Sequence, residues 1–382
     1  MQRILIITFL MLASVWFLGS LKLPTTENPT KTETLQKIAT TSPPSTIEVT
    51  STPTTTTTTV KTATTTKLIN KATKPETKAK PVTIPADKIN VSVSSPEPAP
   101  NFELINTYTR LATVNILCTT KGGELLPISG TGVVVKPDGL ILTNAHVAEY
   151  LLLRDFRQKD FVECVIRTDS PAYPRYNVEI VYISPTWVSD NKAILKESDP
   201  KGTGENDFAF LRITSAIDGS NLPETFPYIQ MNLREIINKN EPVLLVSYPA
   251  GFLGGLSVLQ NLNITSAITT IQEIFTFKEN TIDILAVPGT IVSQKGSSGG
   301  AVVDRNTTLI GLITTSSGGN TTNSRALNAI TIAYINRSMQ NEIGIGLSEF
   351  IYKDMADFAK IFQKVNVPGL TKLIIDELNK NQ

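Results

Sequence analysis

The sequence leads to the expectation of an all-β globular region, barrel or sandwich, ending in a helical tail. Three observations carry it. Short β-branched runs recur between Gly, Pro and Asn turns from Thr113 to Tyr334. Helical spacing of apolar residues is confined to residues 145–156 and to the end of the chain. The composition, 41% apolar and 18% charged over 382 residues, suits a soluble globule and is too polar for a multi-span membrane protein.

Taken in order, the chain first shows eighteen uncharged residues, Ile4 to Leu21, between Arg3 and Lys22. At 1.5 Å rise per residue they reach about 27 Å, enough to cross a bilayer core. Residues 1–22 therefore read as a signal-anchor or a signal peptide. The run is long for a signal peptide's apolar region and no A-x-A-like site follows it, which favours the anchor. Either way the rest of the chain is expected outside the cytoplasm, tethered to the cell membrane by one N-terminal helix or secreted after cleavage. Residues 23–100 are rich in Thr, Pro, Lys and Ser, including the run Thr54 to Thr59, and their large apolar side chains are scattered singly. Such a segment buries too little surface to offset its ordering entropy and reads as a disordered linker.

The globular part, residues 101–345, is expected to form strands at 113–117, 130–135, 140–143, 161–166, 208–213, 243–247, 264–270, 282–287, 301–303, 309–314 and 329–334. Residues 145–156 are expected to be helical, and the tail, residues 346–382, to carry helices over 347–365 and 370–378. Lys+Arg numbers 35 against 34 for Asp+Glu, so no overall field draws the chain to nucleic acid. Two cysteines rule out a disulfide framework and a four-cysteine zinc site. The single histidine, His146, excludes a His-rich metal site, and any imidazole chemistry must use it.

Three segments bear chemistry. His146 follows directly on the apolar run 140–143, Asp207 opens the run 208–213, and Ser298 lies in Gly296-Ser-Ser-Gly-Gly300. Each alone has a plainer reading: a structural histidine, a strand-edge turn, a flexible loop. Together they supply a nucleophile, a base and an orienting carboxylate. A serine hydroxyl attacks only if an imidazole takes its proton, and the imidazole needs a carboxylate on its other nitrogen to fix its tautomer. The glycines let the backbone N–H groups of Gly296 and Ser298 converge as an oxyanion hole. Gly-x-Ser-x-Gly is also the nucleophile elbow of α/β-hydrolases, but there the histidine follows the serine, and no histidine lies after Ser298. An Asp-first order would need Asp138, which sits in the turn Lys136-Pro-Asp-Gly139 and is explained by turn chemistry.

The order His146, Asp207, Ser298 is that of chymotrypsin-type enzymes, and residues 113–338 resemble a trypsin-like serine protease domain of the HtrA (Deg) kind. The resemblance rests on Gly130-Thr-Gly-Val-Val-Val135, Asp138-Gly-Leu-Ile-Leu-Thr-Asn-Ala-His-Val147, Asp207-Phe-Ala-Phe-Leu-Arg-Ile213, Glu241-Pro-Val-Leu-Leu-Val-Ser-Tyr-Pro-Ala-Gly251, Ile264-Thr-Ser-Ala-Ile268 and Gly296-Ser-Ser-Gly-Gly300, in the family's order. It implies two six-stranded antiparallel β-barrels, His146 and Asp207 from the first and Ser298 from the second. It further implies a substrate-pairing edge at Thr314, Thr315 and Ser316 and a primary specificity pocket near Val292 and Ser316. With no acid at Val292, a small or apolar side chain is the expected occupant. Ser297 stands where digestive relatives carry an activating Asp, so activation by a new N-terminus is not expected. The 44 residues after Ser338 are too few for the PDZ domain usual in HtrA relatives. Cys118 and Cys164 fall on neighbouring strands of the implied first barrel, leaving a bridge and two buried thiols both open.

The function implied is a membrane-tethered serine endopeptidase acting on polypeptides through an acyl-enzyme, with no cofactor and no metal. A non-catalytic or latent binding module on the same scaffold is the alternative; its usual mark, a lost triad member, is missing here. Esterase chemistry would use the same three residues, and the peptide-pairing edge favours protein substrates.

Overall fold

Eleven β-branched runs need backbone partners, and they find them in two separate antiparallel ladders. The computed structural model describes residues 100–381 except 124, 198–201, 252, 279 and 317–325. The membrane segment and the linker, residues 1–22 and 23–100, thus fall outside the described residues apart from Pro100. No helix among the described residues is long and apolar enough to cross a membrane.

The first ladder is a closed barrel. Its strands are β1 (Thr113–Thr120), β2 (Ile128–Val134), β3 (Leu140–Thr143), β4 (Val162–Thr168), β5 (Tyr173–Ile183) and β6 (Ala209–Ala216), in the order β1-β2-β3-β6-β5-β4. Ile116, Val133, Ile141, Ile166 and Leu211 are fully buried in its core. In the β1–β4 register Cys118 lies directly opposite Cys164, and the two are joined as a disulfide across 46 residues of chain.

The second ladder corrects the expectation of another closed six-stranded barrel. It is a seven-stranded open sheet of β7 (Pro242–Ser247), β8 (Thr265–Thr270), β9 (Glu273–Phe275), β10 (Ile284–Val287), β11 (Ala301–Val303), β12 (Leu309–Ser316) and β13 (Leu327–Thr331), ordered β8-β7-β11-β12-β13-β10-β9. Between its two edge strands the chain crosses at Ile271 and Gln272, which bond to Glu241 and Ala286 and not to one another's strand. The short β9 therefore adds a strand without closing the ring.

Helices depart further from the expectation. α1 (Phe102–Ala112) was not foreseen; Asn101 Oδ1 accepts the Leu104 N–H at its start, and Ile105 and Ala112 are buried. The stretch after β3 is only α2 (Ala145–Ala148) and a 3-10 turn, Glu149–Leu153. α3 (Pro185–Asn191) starts at a Ser184 cap, and α4 (Gly255–Gln260) follows β7. Residues 332–334, expected in a strand, begin α5 (Ile332–Ile343), because the Thr331 hydroxyl oxygen accepts the Tyr334 N–H and ends β13 there. The tail forms α6 (Leu347–Phe350), α7 (Met355–Val365) and α8 (Val367–Leu378). α7 lies on β5 and α8 on α3 and the 3-10 turn, so the tail covers the first barrel.

Candidate active site

β3 is buried at all four positions and delivers His146 as the second residue of α2. Asn144, at the cap position, donates through Nδ2 to the Asp207 carbonyl at 2.8 Å. The His146 backbone N–H donates to Asp207 Oδ1 at 3.0 Å, and His146 Nδ1 lies 2.8 Å from Asp207 Oδ2. Main chain and ring are thus both fixed against the one carboxylate, which leaves Nε2 as the outward nitrogen.

Asp207 is positioned from three sides. Asn206 before it is held at φ 57°, and its side-chain oxygen accepts from Tyr334 (2.8 Å) and Ser338 (2.7 Å) of α5. The Asn206 N–H in turn donates to the Tyr334 hydroxyl at 3.0 Å. From β12 the Thr314 hydroxyl donates to Asp207 Oδ2 at 2.6 Å. Burial alone would push the Asp207 carboxyl up, but the His146 charge and the hydrogen bonds from His146 and Thr314 hold it below its ordinary value. Burial likewise pulls His146 down, and Asp207's charge and hydrogen bond outweigh it, so His146 stands above its ordinary 6.5.

Ser298 sits in a loop stitched to the first barrel by Thr131 of β2. The Thr131 hydroxyl donates to the Gly296 carbonyl (2.7 Å) and its N–H to the Ser298 carbonyl (2.8 Å). Glycine is obligatory at two points of this loop. Gly296 (φ +92°) would place a Cβ 2.8 Å from the Tyr248 carbonyl oxygen, and Gly299 (φ +84°) would place one 1.9 Å from that of Thr131. The N–H groups of Gly296 and Ser298 have no acceptor among the described residues, whereas those of Ser297, Gly299 and Gly300 are all bonded. Ser297 is buried; it donates to the Val292 carbonyl at 2.5 Å and accepts from Ser247 at 2.9 Å. The Ser298 hydroxyl donates to the Thr314 carbonyl at 3.4 Å and makes no hydrogen bond to His146.

His146, Asp207, Gly296, Ser298 and Thr314 line one long cleft of about 1650 Å³. Of the residues assigned to substrate binding, Val292 lies elsewhere and Thr314 has a second role. Val292 is fully buried in the core of the second sheet beside Ile313 and Leu327, and is not on the cleft wall. Thr314 spends its hydroxyl on Asp207, a role the alternation of its strand could not reveal. Thr315 and Ser316 continue β12 and pair with Asn328 and Leu327 of β13. On the other side the β11 ladder stops at Leu312, and Ile313 bonds to Gly299 and Gly300, so the edge from Thr314 onward has no ladder partner among the described residues. Thr131, Asn206 and Tyr334 escaped sequence reasoning because these contacts, Thr131 with Gly296 and Tyr248 and Asn206 with Tyr334, span 117 residues or more of chain and carry no motif; only the glycines flanking Thr131 gave a signal.

Residues 130–312 match the family described as a trypsin-like peptidase domain. No curated protein matches the chain. Among solved structures, the Rv3671c protease from M. tuberculosis in its active form is 16% identical, covering 65% of this chain and 89% of its own, with a TM-score of 0.39. Deg5 is 18% identical, covering 63% and 94%, with a TM-score of 0.40.

Proposed function

We propose, from the match of residues 130–312 to the trypsin-like peptidase domain family, that the chain is a serine endopeptidase of the HtrA/Deg-like kind working through His146, Asp207 and Ser298. The observation that carries this reading is the His146–Asp207 pair, bonded twice, on one cleft with Ser298 and with two unengaged N–H groups beside it. In this reading Ser298 Oγ attacks the peptide carbonyl carbon and its proton passes to His146 Nε2. The oxyanion is received by the N–H groups of Gly296 and Ser298, and Asp207 stabilises the imidazolium. The leaving amine takes the proton from His146. Water, activated by the same imidazole, then hydrolyses the acyl-enzyme.

The unpaired edge at Thr314–Ser316 supports a peptide substrate over a simple ester, since an extended chain adds there as a strand. A substrate N–H bonding the Thr314 carbonyl would compete with the Ser298 hydroxyl for it and turn that hydroxyl toward His146. One observation favours a latent form instead: at rest the hydroxyl is held by Thr314 and not by the imidazole. The apolar run from Ile4 to Leu21 and the Thr/Pro-rich stretch after it support placing the domain outside the cytoplasm on a membrane tether.

The deciding experiment is covalent labelling of the full chain with a fluorophosphonate, comparing wild type with Ser298→Ala and His146→Ala. Labelling of wild type that is lost in both variants is the expected result. A folded wild type that stays unlabelled would remove the constitutive enzyme and leave the latent or binding module.

A further inference from the structure

One acid in the cleft takes no part in the proposed chemistry. Glu149 opens the 3-10 turn one helical turn after His146, lines the same cleft, and is only 2% exposed. Its Oε2 is sealed from solvent and has no hydrogen-bond partner, and no cation among the described residues pairs with it. A buried carboxyl oxygen without a partner destabilises the free protein, so the acid calls for a reason outside the fold.

The neighbours of Glu149 cannot satisfy it. Asp207 adds like charge, His146 Nδ1 is committed to Asp207, and the Tyr150 hydroxyl donates to the Leu126 carbonyl. On the elements packed against the turn, Arg167 of β4 is held by Asn115, Glu179 of β5 pairs with Arg212, and Lys372 of α8 pairs with Asp376. The rest of the cleft leans the same way. Glu197 and Glu205 also line it, and of the two lysines there, Lys196 gives its ammonium to the Glu377 carbonyl.

We infer that the cleft contains a subsite for a basic side chain of the substrate peptide, Lys or Arg, and that Glu149 is its counter-charge. The inference deepens the peptidase reading and rests on it. Burial, and then the charge on Asp207, hold Glu149 well above the usual carboxylate range, which favours its neutral acid form at rest. Docking of an ammonium or guanidinium ionises it: the Glu149 O–H bond breaks, the proton leaves to solvent, and the carboxylate pairs with the incoming cation. Binding of a basic peptide is therefore coupled to proton release, which a neutral peptide lacks, and its relative affinity rises with pH.

The test uses the full chain bearing Ser298→Ala, titrated calorimetrically with peptide pairs that differ only in Lys against norleucine at one position at a time. At one position the Lys peptide is expected to bind at least tenfold tighter, with a proton released when two buffers of different ionisation enthalpy are compared. Adding Glu149→Gln should bring that ratio to about one and abolish the proton release, with thermal unfolding checking that the variant is folded. Lys preference at no position, or a preference that survives Glu149→Gln, overturns the subsite. Fluorophosphonate labelling of Ser298 in the otherwise native chain separates the two failures: labelling without Lys preference removes the subsite alone, and no labelling removes the enzyme with it.

Discussion

At the residue scale, the bonds around Asp207 set the behaviour of the proposed base. His146 must be neutral to take a proton, and Asp207 holds its ionisation above the ordinary 6.5. Protonated enzyme is inactive in this scheme, so kcat/KM should climb with pH through a value above 6.5 and level off beyond it. Asp207→Asn removes the charge that raises His146 and should reverse the tautomer. A loss of about 10⁴-fold in kcat is expected, together with a downward shift of the acid limb; a pH–rate series on both proteins checks it. An unshifted limb would mean that Asp207 does not govern the imidazole. The glycine loop offers a sharper structural test. Gly299→Ala puts a methyl against the Thr131 carbonyl at 1.9 Å in a positive-φ conformation and should cost roughly 3 kcal/mol or more in denaturant unfolding. Gly123→Ala, where nothing lies within 4 Å, should change stability by less than about 0.5 kcal/mol.

At the element scale, α5 joins what the strand ladders leave apart. It ends β13, bonds Asn206 through Tyr334 and Ser338, and through Glu342 accepts hydrogen bonds from Tyr182 and Ser184 of the first barrel's side. Its fourth tie is Arg337 to Asp283, at 2.5 Å, just before β10. Burial would raise the Asp283 carboxyl, but the Phe277 N–H, Thr281 and Arg337 hold it below its ordinary 3.8. A group depressed on folding contributes its stability above the unfolded value and loses it as pH falls through the folded one. Asp283→Asn should therefore cost roughly 2 kcal/mol at neutral pH, and the difference from wild type should shrink as unfolding is followed below pH 4. Elements such as α5 also show what the sequence could and could not disclose. Each of the eleven expected runs overlaps a strand, from β1 at Thr113 to β13 at Leu327, and the three triad segments were legible because short motifs flank them. β5 was missed because its first five positions are mostly exposed and include Pro174 and Arg175, which hide its apolar second half. The first three residues of α5 read as strand because the β-branched Ile330-Thr-Ile332 run crosses the boundary, which a single Thr331 cap decides. Val292, which the resemblance put near the specificity pocket, is buried in the second sheet's core, because a matched position fixes distance along the chain and not which way a side chain faces.

At the scale of the whole molecule, the tail is a wall of the first barrel and not an appendage. Phe350 is fully buried and its ring lies 4.8 Å from Phe210 of β6, while Phe362 of α7 lies 5.4 Å from Tyr182 of β5. Thr371 of α8 donates to the Leu152 carbonyl in the turn that begins at Glu149, and Leu378 reaches the cleft itself. Packing from the tail thus bears on the segment that carries His146 and Glu149 as well as on the barrel's outside. Phe350→Ala should cost about 3–5 kcal/mol, which at 2–4 °C per kcal/mol is a fall of roughly 10 °C in Tm. Removing residues 347–382 uncovers Phe210, Tyr182 and Leu152 together, and the shortened chain should be insoluble or should unfold far below the full chain. Labelling of Ser298 should be lost with it, since the turn after His146 loses its support. Thermal unfolding and fluorophosphonate labelling of the two variants test this in parallel. If the shortened chain keeps both its Tm and its labelling, the cleft is built by the two ladders alone and the tail serves some other purpose.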